Sequence, residues 1–171
     1  MIFITTGTQV QFDRLIQAMD EIAPSLHGQE IIAQAFDIKY QAKNIKTLEY
    51  IAPIDFKSYV DAADLIISHA GTGTILSVAQ MEKPLIVFPR LGKLREARND
   101  HQLATCRKME EICLLQVAYD EVQLKEKIDA YFRGELPVMN RVSPYASAEL
   151  LNNISDFIAS EKRLNIIPQT I

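Results

Sequence analysis

Two apolar patterns alternate along this chain of 171 residues. Short, almost uninterrupted apolar runs over 1–5, 30–35, 47–51, 64–68, 85–89 and 113–117 predict buried strands, because a strand covered on both faces has no polar side to show. The stretches between them, 11–22, 55–63, 74–81, 99–110 and 120–132, predict helices. Their ends carry matching punctuation: Pro24 follows the first, and Asp55 and Asp120 stand where an N-cap belongs. Strands separated by helices of this length imply right-handed crossovers. The expected fold is therefore α/β, a doubly wound parallel sheet covered on both faces. Beyond Gly134 a Pro-containing link leads to a last helix, 144–159, and to the apolar tail Ile166-Ile167-Pro168-Gln169-Thr170-Ile171. The segment 134–171 is expected to pack on the domain formed by 1–133 or on a partner.

Ligands of open α/β sheets bind at the carboxyl ends of the strands, and three polar loops fall there: Gly7-Thr8-Gln9, His69-Ala70-Gly71-Thr72-Gly73-Thr74 and Asn99-Asp100-His101-Gln102. The second joins an apolar strand to a helix through paired glycines. Such a turn offers free backbone N–H groups and a positive helix end, which suit a phosphate. A dinucleotide fingerprint needs a third glycine where Leu76 stands, and a P-loop needs a lysine that neither glycine loop has. A nucleotide held by amides and hydroxyls remains, and a nucleotide-sugar fits that chemistry. Each element also has a plain structural reading. Gly7 can serve tight packing, His69 can be a satisfied structural histidine, and Asn99 or Asp100 can simply cap a helix. His27 lies on a polar connection and is assigned no role.

Composition narrows the classes further. A net charge of −4 and a pI near 5.4 argue against a general nucleic-acid binder, although Arg90, Lys93, Arg95 and Arg98 cluster with Gly92 in a basic, mobile segment. That segment is either a solvated loop or one that meets phosphate or an anionic surface. Cys106 and Cys113 lie in or beside one predicted helix without metal-type companions, so both are read as packing residues, with no zinc and no disulfide. The runs Leu65 to Ile67 and Leu85 to Phe88 are far below the roughly 20 residues that cross a bilayer. The first residues form a strand pattern, not a signal peptide, and a cytoplasmic location is expected.

Taken in order, Thr6-Gly7-Thr8, the run Ile67 to Ile75, Lys83-Pro84-Leu85-Ile86-Val87-Phe88-Pro89-Arg90 and Asn99-Asp100-His101-Gln102 resemble the C-terminal domain of family-28 glycosyltransferases over roughly residues 1 to 133. The likeness is greatest to short, split members, such as bacterial exopolysaccharide subunits and the catalytic subunit of the eukaryotic transferase acting on dolichol-linked sugar. The resemblance implies a single Rossmann-like domain equivalent to the donor half of a GT-B enzyme. It further implies a UDP-sugar as substrate, a lipid-linked saccharide as acceptor, and a separate membrane-associated subunit carrying the acceptor half. The chain would then sit at the inner face of the membrane through that partner.

By position, the resemblance implies that Gly7, Thr8 and Gln9 face the diphosphate together with the amides of Gly71, Thr72, Gly73 and Thr74, in the loop that also holds His69 and Ala70. Ala52, Pro53 and Ile54 would border the uracil, and Asn99, Asp100, His101 and Gln102 would approach the sugar and phosphates. Larger members carry a ribose-binding glutamate seven residues before the proline matching Pro84; here Ser77 stands there, and Glu82 comes too late in the helix to replace it. The expected chemistry is an inverting transfer without a metal or other cofactor. The partner is expected to supply the general base, with His69 and His101 the candidates within this chain. Two rival readings are a non-catalytic enhancer subunit that binds nucleotide-sugar, and a nucleotide-sugar epimerase, which needs its acid and base carboxylates within one polypeptide.

Overall fold

A computed structural model describes residues 1–112, 115–137, 143 and 145–164, the last four by backbone alone. Six strands form one parallel sheet in the order β3-β2-β1-β4-β5-β6. They are β1 (Ile2–Thr5), β2 (Ile31–Gln34), β3 (Lys46–Leu48), β4 (Leu65–Ser68), β5 (Leu85–Val87) and β6 (Gln116–Val117). The helices are α1 (Asp13–Ile22), α2 (Pro53–Ala62), α3 (Thr72–Gln80), α4 (His101–Glu111), α5 (Glu121–Phe132) and α6 (Ala148–Leu164).

Alternation along each strand divides the core in two. Ile2, Ile4, Leu65 and Ile67 pack with Leu15, Ile16 and Met19 of α1 and Leu124 and Ile128 of α5 on one face. Phe3 and Ile66 pack on the other with Val60 of α2, Ile75 and Val78 of α3 and Cys106 of α4, and Phe3 stacks on Tyr59 at 5.4 Å between ring centroids. Because both faces are covered, β1 and β4 are buried at every position, as the unbroken apolar runs require. Cys106 is a core residue whose thiol burial pushes up to about 12, and Cys113 lies outside the described residues.

Several boundaries move for local reasons. Asp55 does not cap α2: the helix begins at Pro53, whose fixed φ and missing N–H suit a first helical position, and Asp55 falls inside the first turn. Helix α3 starts two residues before position 74, and β3 ends at Leu48. Asp120 does cap α5, accepting from the Gln123 N–H at 2.8 Å. The last helix covers Ala148–Leu164 instead of 144–159 and is exposed over 148–160, while the tail 165–171 is outside the described set.

The sheet reverses direction at β1, which reaches β2 on one side and β4 on the other. Connections leaving β1 and β4 therefore diverge and leave a crevice above their carboxyl ends, the expected ligand position in this class of fold.

Candidate functional site

That crevice is a cleft of about 740 Å³ lined by the β1–α1 loop, the β4–α3 turn and the β5–α4 loop. Of the residues singled out from the sequence, Gly7, Thr8, Gln9, His69, Gly71, Gly73, Thr74, Asn99, His101 and Gln102 all line it. Three segments far apart in the chain thus meet at one place.

The floor is fixed by buried polar contacts. Thr5 Oγ1 donates to Gln34 Oε1 at 2.7 Å and accepts from the Gly7 N–H at 3.3 Å, so β1 ends in a pinned turn with Gly7 at φ 76°. The His69 ring fills the space between the two glycine turns. A Cβ added at Gly7 would stand 2.8 Å from His69 Cε1, and one added at Gly71 would stand 2.9 Å from Cε1 and closer still to Nε2. Both glycines are therefore required by the imidazole, whatever ligand the cleft takes. Burial, with help from the Arg90 charge, lowers the His69 pKa to about 4, and its Nδ1 is buried without a hydrogen-bond partner. At neutral pH the ring is uncharged.

Above it, α3 presents its N-terminus. Gly71 is the N-cap and brings no side chain to the task, and its own N–H is taken by the His69 carbonyl at 2.9 Å. The N–H groups of Thr72, Gly73 and Thr74 precede the first intrahelical bond, from Ile75 to the Gly71 carbonyl at 3.0 Å. Three donors and the positive end of a nine-residue helix open beside the cleft, which is an anion-binding arrangement. Nothing fills the space around Gly73, so a ligand can approach its backbone closely.

The third wall departs from its description as a mobile basic loop. Lys93, Arg95 and Arg98 are exposed, but Arg90 is only 4% exposed and lies under the cleft. Glu96 is held by Arg14 through two contacts, 2.7 and 3.0 Å, and accepts from the Leu91 N–H. Gln102 is buried, its Oε1 accepting from the Arg90 N–H at 3.0 Å, so it shapes the wall from within. Asn99 Oδ1 accepts from the His101 N–H and contacts His101 Nδ1. With that contact as an Nδ1–H donor, His101 Nε2 is left as an acceptor. Asp100 is turned away to accept from the Gly92 N–H at 2.8 Å.

Other expected residues stand apart. Ala70 is buried in the core against α3. Thr72 and Ser77 are not among the lining residues, and the Ser77 hydroxyl donates to the Gly73 carbonyl one turn back at 2.8 Å. Pro53 and Ile54 open α2 outside the cleft, with Ile54 largely exposed, and Ala52 lines a separate groove of about 710 Å³ beside β3 with Tyr50 and Tyr59. That groove has no glycine turns, and the helix start beside it, that of α2, has Pro53 at its first position and so one N–H fewer to offer. Val10, Glu96 and Ala97 join the cleft without having been singled out; only their positions next to the glycine and Asn99 loops could have suggested them. Among the described residues no His, Cys, Asp or Glu cluster is placed to hold a metal.

A parallel sheet with a nucleotide-type crevice at its reversal point, an uncapped helix N-terminus and a glycine-lined floor define a Rossmann-like ligand-binding domain of the kind found in GT-B glycosyltransferases. The chain matches the glycosyltransferase family 28 C-terminal domain over residues 1–152, and it belongs to that family. It is 32% identical over 121 residues to the UDP-N-acetylglucosamine transferase subunit ALG13 of Debaryomyces hansenii, covering 62% of this chain and 57% of that protein. It is 27% identical over 131 residues to the subunit of the same name from Candida albicans, covering 77% and 39%. The matched region thus spans less than two thirds of either relative. An NMR structure of ALG13 shares the fold, with a TM-score of 0.57 and 20% identity over 90% of this chain and 93% of that one. The glycotransferase of kitacinnamycin does so over 73% of this chain and 33% of its own, with a TM-score of 0.51 and 13% identity.

Proposed function

We propose that this chain is the donor-binding subunit of an inverting glycosyltransferase that moves a sugar from a UDP-sugar to a lipid-linked saccharide, as in exopolysaccharide or capsule synthesis. A separate, membrane-associated subunit provides the acceptor half of the cleft and brings the chain to the inner face of the membrane. The observation that carries this reading is the set of N–H donors at Thr72, Gly73 and Thr74 opening beside a glycine-lined cleft in a family-28 domain. The names of the fungal relatives nominate UDP-N-acetylglucosamine as the first donor to test.

In the proposed reaction the acceptor hydroxyl loses its proton to a base and its oxygen bonds to the anomeric carbon. The bond from that carbon to the diphosphate oxygen breaks, and UDP leaves with the electron pair. Charge grows on the diphosphate as the bond breaks, where fixed amide donors stabilise it with little reorganisation. The diphosphate is assigned to the α3 N-terminus and the loop of Gly7, Thr8 and Gln9, the sugar end to Asn99 and His101, and no metal is assigned a part. His69, with its pKa lowered to about 4, is too weak a base for this proton transfer at neutral pH. The base is assigned to the partner, with His101 as the candidate on this chain.

The exposed face of α6 supports a partner. Leu150, Leu151, Ile154, Phe157 and Ile158 recur at helical spacing and are each about half exposed or more. Calorimetric titration of UDP-sugars, followed by transfer assays with and without the membrane subunit, tests the proposal. Micromolar UDP binding and transfer only by the reconstituted pair is the expected result. Binding without transfer by the pair would convert the assignment to an enhancer subunit, and failure to bind any UDP-sugar would overturn it.

A further inference from the structure

Among the described residues that line the cleft, Arg90 is the one charged side chain that is buried, and its hydrogen bonds point in a consistent direction. Nη1 donates to the carbonyls of Gln11 at 3.1 Å and Glu96 at 3.4 Å, and Nη2 to those of Thr6 and Val10, both at 2.6 Å. Those four N–H groups are used on backbone oxygen, and three of the four oxygens belong to the β1–α1 loop. The fifth, on Nε, is buried without a partner, so four of the guanidinium's five donors are spent on backbone and the fifth is sealed from solvent. The Phe12 ring lies beneath the group, 4.8 Å from Cζ to its centroid.

Building on the donor-site assignment, we propose that Arg90 is a positioning residue: its guanidinium holds the Thr6–Gln11 loop, the first wall of the cleft, in the shape that receives the diphosphate. Peptide planarity sets the direction. A carbonyl turned toward the guanidinium places the following N–H on the opposite side, so anchoring Thr6 and Val10 through oxygen turns the N–H groups of Gly7 and Gln11 away from Arg90, and that of Gly7 is held in turn by Thr5 Oγ1. Because the guanidinium also takes the Glu96 carbonyl, and the Arg90 N–H is held by Gln102, the first and third walls of the cleft are fixed to each other. A lysine would carry the charge but not the planar fork, so Arg90→Lys separates positioning from simple attraction of an anion.

The test measures two things on the full chain: UDP affinity by calorimetry well below each variant's melting temperature, and amide exchange of residues 7–11 without ligand. Arg90→Lys and Arg90→Gln are both expected to weaken UDP by about tenfold or more, with faster exchange at 7–11 and unchanged exchange in α5. Wild-type affinity in Arg90→Lys would overturn the proposal in favour of charge alone, and a lowered melting temperature with affinity and loop exchange intact would reduce Arg90 to a general structural part. Exchange is read without nucleotide, so a wild-type protein that binds no UDP would overturn the donor assignment while loop exchange still decides whether Arg90 positions the loop. If the Arg90 variants do not fold, Phe12→Leu removes the ring beneath the guanidinium and keeps a core hydrocarbon. It is expected to quicken exchange at 7–11 and weaken UDP a few-fold; no change in either overturns the proposal.

Discussion

The contact between His69 and Gly71 can be tested by a double-mutant cycle. In Gly71→Ala the new methyl would stand 2.9 Å from His69 Cε1 and nearer to Nε2, well inside van der Waals distance. The ring cannot retreat freely, because Gly7 bounds it on the other side and a Cβ there would meet Cε1 at 2.8 Å. Overpacking of this kind costs about 1–3 kcal/mol. For a domain of this size that corresponds to a fall of roughly 2–12 °C in melting temperature. With His69→Ala as background the obstruction is gone, so Gly71→Ala should cost little and the coupling energy should equal most of the single-mutant penalty, about 1–3 kcal/mol. Gly73→Ala is the internal control: its Cβ meets nothing within 4 Å, and replacing a helical glycine should stabilise the fold by about 0.5–1 kcal/mol. Urea unfolding of the wild type and these variants gives all the free energies needed. An equal cost of Gly71→Ala in the two backgrounds would refute the wedge and return Gly71 to a purely ligand-related role.

Three further outcomes follow from the described contacts. The lowered pKa of His69 means that the unfolded chain binds a proton at this residue between about pH 6.5 and about 4 while the folded chain does not. Stability should therefore fall with pH across that window, by up to about 1.4 kcal/mol per pH unit, and His69→Asn should flatten the slope in urea titrations at pH 7, 6 and 5; an unchanged slope sinks the assignment. Asp20 is buried and accepts from the Lys43 and Asn44 N–H groups and the Tyr40 hydroxyl, so Asp20→Ala should destabilise by about 3 kcal/mol, with no change in UDP affinity below its melting temperature. Ile154→Asp with Phe157→Asp should leave melting temperature and UDP affinity intact and abolish transfer by the reconstituted pair; a fall of several degrees would instead place α6 on its own domain.

The order of strands and helices follows from the sequence because a doubly covered parallel sheet leaves long apolar runs that admit no other period. Residues 2–5 and 65–68 illustrate this, with every side chain buried. The loops were readable for a similar reason: Gly7, Gly71 and Gly73 interrupt such runs where chain direction must change. What the sequence could not convey was the partner of each polar group. Arg90 sits among Lys93, Arg95 and Arg98, and by composition it belongs with them. It is buried because it stands three residues past the end of β5, where four backbone carbonyls converge on its head group. Ser77 and Asp100 likewise look available for a ligand, yet each is engaged locally, one with the Gly73 carbonyl and the other with the Gly92 N–H. Local hydrogen bonding of short polar side chains competes with ligand binding and leaves no mark in residue type.

These contacts also assign the positive character of the cleft. His69 is neutral near pH 7, so it contributes no charge to an anion, and its central position reflects shape. The attraction must come from the α3 N-terminus, from the exposed Arg98 on the lining of the cleft, and from Arg90, a full charge surrounded by carbonyl oxygens while the carboxylate of Glu96 is engaged by Arg14. A buried charge is costly, and burial lowers the Arg90 pKa while the nearby Glu96 charge opposes that shift. On the proposed reading, a dianionic diphosphate seated above it would offset part of that cost. It follows that nucleotide affinity should fall with rising salt less steeply than for a site built on exposed lysines alone, because one of the two arginine charges lining the cleft, Arg90, is shielded from solvent ions and only Arg98 is open to them.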